Sequence, residues 1–229
     1  MIKGAIFDLD GTLLDSMWVW NKVDVDFLGS RGFAVPPDYQ KAISAMGFRE
    51  TAEYTIKRFG LNENPEDIIQ EWNDMAEHTY HYEVEIKPCV KETLEALKAQ
   101  GVRLGIATAS YATLFQECLK RNRVYDYFEA FTETKEVPRG KGFPDVYIKA
   151  ARKMGCLPEE CVVFEDIHKG ILAAKTGGFY TVGVYDEKSS DSWEEIRRDS
   201  DCAISGFGQL FEEPERMKRI LEGRTGEES

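Results

Sequence analysis

The strongest constraint on the fold lies at the start of the chain, where the apolar stretch Ile2-Lys3-Gly4-Ala5-Ile6-Phe7 runs directly into Asp8-Leu9-Asp10-Gly11-Thr12. A short apolar run that ends at once in a turn is the mark of a buried strand. Residues 102–107, 162–164 and 180–184 have the same character, and amphipathic stretches of helical length occupy 90–100, 111–121, 144–154 and 170–176. Gly101, Gly155 and Gly177 stand where those helices end. Strands that alternate with helices predict an α/β fold with a parallel sheet covered on both faces.

From about residue 16 to residue 82 that rhythm stops. Only helical patterns remain, interrupted by Gly32, Pro36-Pro37, Gly47 and a turn cluster at 60–65. A block of helices inserted after the first strand predicts a separate small domain at 16–82. The main domain then comprises residues 1–15 and 83–222. The polar segment 223–229 reads as a flexible tail.

Composition narrows the function. Forty-one acidic residues against twenty-nine basic ones give a net charge of −12. This argues against nucleic acid or an anionic membrane as partner, since both call for a basic face. No apolar run approaches the roughly 20 residues needed to span a bilayer, and the N-terminus lacks the pattern of a signal peptide. The five cysteines, Cys89, Cys118, Cys156, Cys161 and Cys202, are scattered and read as buried free thiols. A cytoplasmic setting is the expectation. The negative field would repel an anionic substrate, so a site for one needs a local cation.

Asp8 and Asp10 stand at the carboxyl end of the first strand, where open α/β sheets bind their ligands. Gly11 permits a sharp turn, and two carboxylates so placed can divide the work: Asp8 attacks phosphorus while Asp10 handles the leaving-group proton. The bland alternative is an Asx-type turn that closes a strand.

At this motif the chain resembles the haloacid dehalogenase superfamily, whose first motif is Asp-x-Asp-x-Thr/Val after strand one. Three further stretches follow that family's order. In Leu104-Gly105-Ile106-Ala107-Thr108-Ala109-Ser110, Thr108 matches the second motif, its hydroxyl and the next backbone N–H, that of Ala109, holding phosphoryl oxygens; taken alone, a threonine there is more often a helix N-cap. In Gly140-Lys141-Gly142-Phe143-Pro144-Asp145, the resemblance makes Lys141 the cation beside the nucleophile, and Gly142 stands where relatives usually carry proline. In Val162-Val163-Phe164-Glu165-Asp166, two adjacent acids end an apolar strand and suit Mg²⁺, a hard cation that takes oxygen ligands. The resemblance implies a Rossmann-like, doubly wound core and a metal site made by Asp8, the Asp10 carbonyl and Asp166, with Glu165 beside them. Gly11 and Lys141 would join Thr108 and Ala109 in binding the phosphate.

The helical insert matches the cap of the family's first subclass, where the leaving group is read. Trp20, in the aromatic run Met17-Trp18-Val19-Trp20, either stacks on substrate or packs the cap. Arg49 falls where β-phosphoglucomutase-like relatives hold a second phosphate; otherwise Glu50 and a helix end neutralise it. Relatives with mutase activity place a histidine soon after the first motif and a lysine in the cap, whereas this chain has Trp20 and Ala76. The expectation is therefore a Mg²⁺-dependent phosphatase of a small phosphorylated metabolite, acting as a monomer or weak homodimer. A sugar phosphomutase and a catalytically silent binding protein are the alternatives.

Overall fold

The computed structural model describes residues 1–43, 46 and 48–223 of the chain. Gly47 and the segment 224–229, which were read as a helix interruption and most of a flexible tail, lie outside the described residues. Two compact units are present, one made of Met1–Ser16 and Glu85–Ser229 and the other of Met17–Val84.

The larger unit holds six parallel strands: β1 (Gly4–Phe7), β2 (Arg103–Thr108), β3 (Ala130–Glu133), β4 (Cys161–Glu165), β5 (Tyr180–Val184) and β6 (Cys202–Ile204). Their spatial order is β3-β2-β1-β4-β5-β6, so the chain order reverses at β1. This is the doubly wound arrangement expected from the sequence, and the reversal point marks where such sheets bind ligands. In register, Phe7 is paired with Ile106 on one side and Phe164 on the other. Sequence reading found four of the strands but passed over β3 and β6. β3 alternates between buried and half-buried positions, and β6 is a three-residue edge strand.

Strand pleating sends neighbouring side chains to opposite faces. Ile6 and Val163 join a buried cluster with Ala107, Val146, Tyr147 and Met154. Phe7 and Phe164 point the other way and stack with ring centroids 4.6 Å apart, with Phe207 tilted against both.

The smaller unit contains the helices α1 (Val19–Ser30), α2 (Tyr39–Ile43), α3 (Phe48–Phe59) and α4 (Pro65–Tyr82). The turn before α4 ends in Asn64, whose side chain accepts from the Asp67 N–H at 3.0 Å, and Pro65 takes the first helical position. Both are favoured helix starts. Its core brings Phe27 and Trp72 edge to face at 5.4 Å. Arg31 stacks on Phe27 and pairs with Glu63 and Glu71.

The remaining helices flank the sheet: α5 (Val90–Ala99), α6 (Ala112–Arg121), α7 (Asp145–Lys153), α8 (His168–Thr176), α9 (Trp193–Asp199), α10 (Gln209–Glu212) and α11 (Pro214–Glu222). Among the described residues no helix is long and apolar enough to cross a membrane. All five cysteines are free thiols; Cys118, Cys156 and Cys161 are buried, while Cys89 and Cys202 are only half-buried, against the expectation for those two.

Candidate active site

The end of β1 delivers Asp8 into the interior. Its N–H donates to the Phe164 carbonyl at 3.0 Å, which continues the sheet pairing one residue past the strand. Asp8 is buried, and so are Glu165 and Asp166 at the end of the neighbouring β4. Oxygens of these three carboxylates all lie within 4.8 Å of one another.

Lys141, from the loop before α7, reaches this cluster. Its ammonium is in close contact with Asp8 and lies 2.6 Å from Glu165 Oε1. Burial works against the charged lysine, but Asp8 and Glu165 outweigh it and hold its pKa above the ordinary value. Burial likewise pushes the Asp8 carboxyl well above the usual carboxylate range; Lys141 opposes that push, and Glu165, Asp166 and Asp10 add to it. Asp166 is raised to about 7, first by burial and then by Glu165. The physical cause is a surplus of charge, because three buried carboxylates face one adjacent ammonium.

A divalent cation fits that surplus. Asp166 Oδ1 accepts from the Thr12 hydroxyl at 2.8 Å, whereas its buried Oδ2 has no hydrogen-bond partner among the described residues. An orphaned buried carboxylate oxygen is costly unless a cation meets it. The donor set is all oxygen, as Mg²⁺ requires. Glu165 is committed differently. It accepts from Lys141, from the Tyr147 hydroxyl at 2.8 Å and from the Ile167 N–H at 3.2 Å. Its hydrogen bonds make it a mount for Lys141 first.

Asp10 turns away from this group. Its Oδ1 accepts from Ser16 Oγ at 2.7 Å and its Oδ2 from Ser110 Oγ. The carboxylate therefore sits outside the three-acid cluster and between two hydroxyls. Gly11 then takes φ +83, a left-handed conformation in which a side chain would also run into the Asp166 carboxylate.

At the end of β2, Thr108 is fully buried, and its Oγ1 accepts from the Ser110 N–H at 2.9 Å. That bond leaves the threonine proton for another acceptor. Ala109 follows, exposed, at the start of the turn into α6. Position 142, where relatives usually carry proline, has the Lys169 stem where a side chain would stand.

Two expected residues lie in the smaller unit. Trp20 has an exposed edge and packs its ring edge to face against Phe48 at 5.3 Å. Arg49 is exposed and pairs with Glu53 at 3.1 Å and with Glu66. The acids that pair with it are thus Glu53 and Glu66, not the Glu50 named in the second of the two readings left open above. Ser16, Ser110 and Tyr147 hold catalytic candidates in place but carried no role in the sequence reading. Only Ser110, two residues beyond Thr108, had a signal that could have found it.

Comparison with known proteins agrees with this geometry. The model of the haloacid dehalogenase-like hydrolase family matches residues 5–184. A Bacillus subtilis protein named "Putative phosphatase YhcW" is 32% identical over 184 residues, covering 80% of this chain and 83% of that one. Hexitol phosphatase B of Escherichia coli is 28% identical over 189 residues, covering 80% and 83%. The crystal structure of a beta-phosphoglucomutase from Clostridium difficile superposes with a TM-score of 0.70 at 18% identity, over 96% of this chain and 100% of that one, a likeness of fold alone. With the matched segment running from β1 through the two acids at the end of β4, the chain belongs to the haloacid dehalogenase-like hydrolase family.

Proposed function

We propose that this enzyme is a Mg²⁺-dependent phosphomonoester phosphatase that acts on a small phosphorylated metabolite, a sugar phosphate or similar, through a phosphoryl group carried on Asp8. The observation that carries the reading is the buried cluster of Asp8, Glu165 and Asp166 around Lys141, with one Asp166 oxygen unpartnered among the described residues. The relatives named as phosphatases support it.

Asp8 attacks phosphorus, and the bond from phosphorus to the ester oxygen breaks as the bond to Asp8 forms. Asp10, held by Ser16 and Ser110, gives a proton to the departing alkoxide and later takes one from the water that cleaves the phospho-aspartate. Lys141 neutralises the nucleophile and the transferring group, while the Thr108 hydroxyl and the N–H groups around Ala109 receive phosphoryl oxygens. Bound Mg²⁺, held by Asp8, Asp166 and the Asp10 carbonyl with Glu165 beside them, would neutralise developing charge on those oxygens. Gly11 lets the main chain approach the phosphate. Trp20 and Arg49 are proposed to read the leaving group. The setting is cytoplasmic and the protein a monomer or weak homodimer, without nucleic acid or membrane partners; the net charge of −12 supports the last point.

A sugar phosphomutase is the second reading. Ala76, at the place suited to a cap lysine, is fully buried within α4, which disfavours it. The deciding experiment is phosphate release from a panel of monoesters. Chelation should abolish turnover and Mg²⁺ restore it, and Asp8→Asn should be folded and inactive. Full activity in excess chelator, or a stable active Asp8→Asn protein, would overturn the mechanism.

A further inference from the structure

Lys87 lies at the carboxyl ends of the strands yet belongs to none of the motifs. It follows the short bridge between Leu14 and Ile86, and its N–H donates to the Leu13 carbonyl at 2.8 Å. Its ammonium has three donors and meets three acceptors: the Gly11 carbonyl, Asp186 Oδ2 at 2.7 Å and the Tyr185 carbonyl at 3.2 Å. The pair is secluded, with side-chain exposures of 15% for Lys87 and 9% for Asp186. Asp186 is fixed in turn, its Oδ1 accepting from the Lys188 N–H at 2.9 Å.

The placement of the acceptors gives these contacts meaning. Gly11 follows β1, Tyr185 and Asp186 follow β5, and β4, which ends in Glu165 and Asp166, runs between those two strands. Lys87 therefore ties together the loops on either side of Asp166. Gly11 has no side chain to anchor its carbonyl, and glycine rotates more freely than any other residue. A buried carbonyl there needs a donor, and Lys87 supplies it. We propose that Lys87 is a positioning residue for the phosphoryl-transfer site: by holding the Gly11 carbonyl against the Tyr185–Asp186 loop, it fixes the turn that carries Asp10 and sets Thr12 against Asp166.

The inference rests on the phosphatase reading for its kinetic part only. Thr12 holds Asp166 Oδ1, so loosening the turn releases a metal-side carboxylate as well as Asp10. Charge alone predicts the opposite result. Lys87 is a cation whose field reaches Asp166, so its removal would tighten Mg²⁺ binding if field were its whole effect.

The test compares the wild-type chain with Lys87→Met, which keeps the stem, Lys87→Arg, which keeps the charge, and Asp186→Asn. The readouts are the Mg²⁺ dissociation constant by calorimetry, kcat and KM on an aryl phosphate, and the thermal midpoint. Lys87→Met should weaken Mg²⁺ binding and lower kcat, each by about 10- to 100-fold, at little-changed KM, as is usual when a residue behind a ligand is removed. Lys87→Arg should recover part of both, and Asp186→Asn should shift both in the same direction by less. Tighter Mg²⁺ binding in Lys87→Met, or a lower thermal midpoint with both constants within about twofold of wild type, overturns the proposal. If Lys87→Met does not fold, kcat in Asp186→Asn decides, since that variant keeps the amine, and a value within about twofold of wild type overturns the proposal. Should the wild type release no phosphate from any monoester, the phosphatase reading falls and the Mg²⁺ arm still decides the role of Lys87.

Discussion

Glu165 holds Lys141 rather than standing free for a ligand: the lysine nitrogen is 2.6 Å from Glu165 Oε1, and the same nitrogen contacts Asp8. Tyr147 completes the mount, its hydroxyl donating to the same Glu165 oxygen at 2.8 Å. The Lys141 ammonium is thus placed by a side chain from β4 and steadied by one from α7.

Glu165→Gln should therefore act through Lys141. The amide keeps the size of the side chain but gives up the charge that anchors the ammonium. A loss of about 10- to 100-fold in kcat is expected, measured on an aryl phosphate at saturating Mg²⁺. Tyr147→Phe removes one buried hydrogen bond and should cost about 1 kcal/mol of stability, with a smaller kinetic effect. Unchanged kcat in Glu165→Gln would show that Lys141 needs no mount.

Metal binding should depend on pH through Asp166. Burial and Glu165 raise its carboxyl to about 7 in the metal-free protein. Below that pH the folded protein holds a proton that Mg²⁺ must displace, and above it the carboxylate is already bare. Mg²⁺ affinity should fall by up to about tenfold per pH unit below 7 and level off above it. Calorimetric titrations from pH 5.5 to 8.5 would check this, and Asp166→Asn should remove most of the affinity and leave only the part of the slope that Asp8, itself raised by burial, contributes. A flat profile would mean that Asp166 takes no part.

Asp24 in the smaller unit carries a stability prediction. It is buried on α1, accepts from the Gln40 amide, and burial raises its carboxyl to about 6. A folded-state value above the unfolded one means that its contribution is greatest below about pH 4 and is lost as pH rises through 6. At pH 7.5 the ionised group costs up to about 3 kcal/mol. Asp24→Asn should raise the thermal midpoint at pH 7.5 and change it little at pH 4. Equal shifts at both pH values would assign the effect to packing.

The parts of this site that could be read in the sequence are those in which apolar strand and polar end adjoin along the chain. Phe7 runs into Asp8 and Phe164 into Glu165, so both the strand and its chemistry were legible. What pairing alone creates was not. β3, with the sequence Ala-Phe-Thr-Glu, is too short and too polar to announce itself and exists through its register with β2. Ser16, Tyr147 and Lys87 are ordinary residues until folding brings Asp10, Glu165 and Gly11 to them. Their partners lie 6, 18 and 76 residues away, beyond any local pattern.

Asp10 provides the sharpest test of divided labour between the two aspartates of the first motif. A general acid matters most when the leaving group is a poor one, such as a sugar hydroxyl, and least for an activated phenol. Asp10→Asn keeps the hydrogen bonds that Ser16 and Ser110 can offer but has no acidic proton to give. Its kcat/KM should fall about 100-fold or more on a sugar phosphate and far less on an aryl phosphate, with Mg²⁺ affinity close to wild type because the side chain lies outside the three-acid cluster. Equal losses on the two substrates would show that Asp10 only shapes the turn.

The last prediction separates hydrolysis from isomerisation. A mutase must shield its phospho-aspartate from water long enough for the intermediate to turn over, whereas a phosphatase admits water at once. This chain has Trp20 in place of the histidine expected of a mutase, and Ala76 buried where a cap lysine would need room. Enzyme, Mg²⁺ and hexose monophosphates should therefore yield inorganic phosphate without isomerised sugar phosphate, and with no bisphosphate needed as activator. Both products can be followed in one reaction, phosphate by colour and isomer by a coupled dehydrogenase. Isomer that outruns phosphate in the wild type would replace the phosphatase reading with the mutase one.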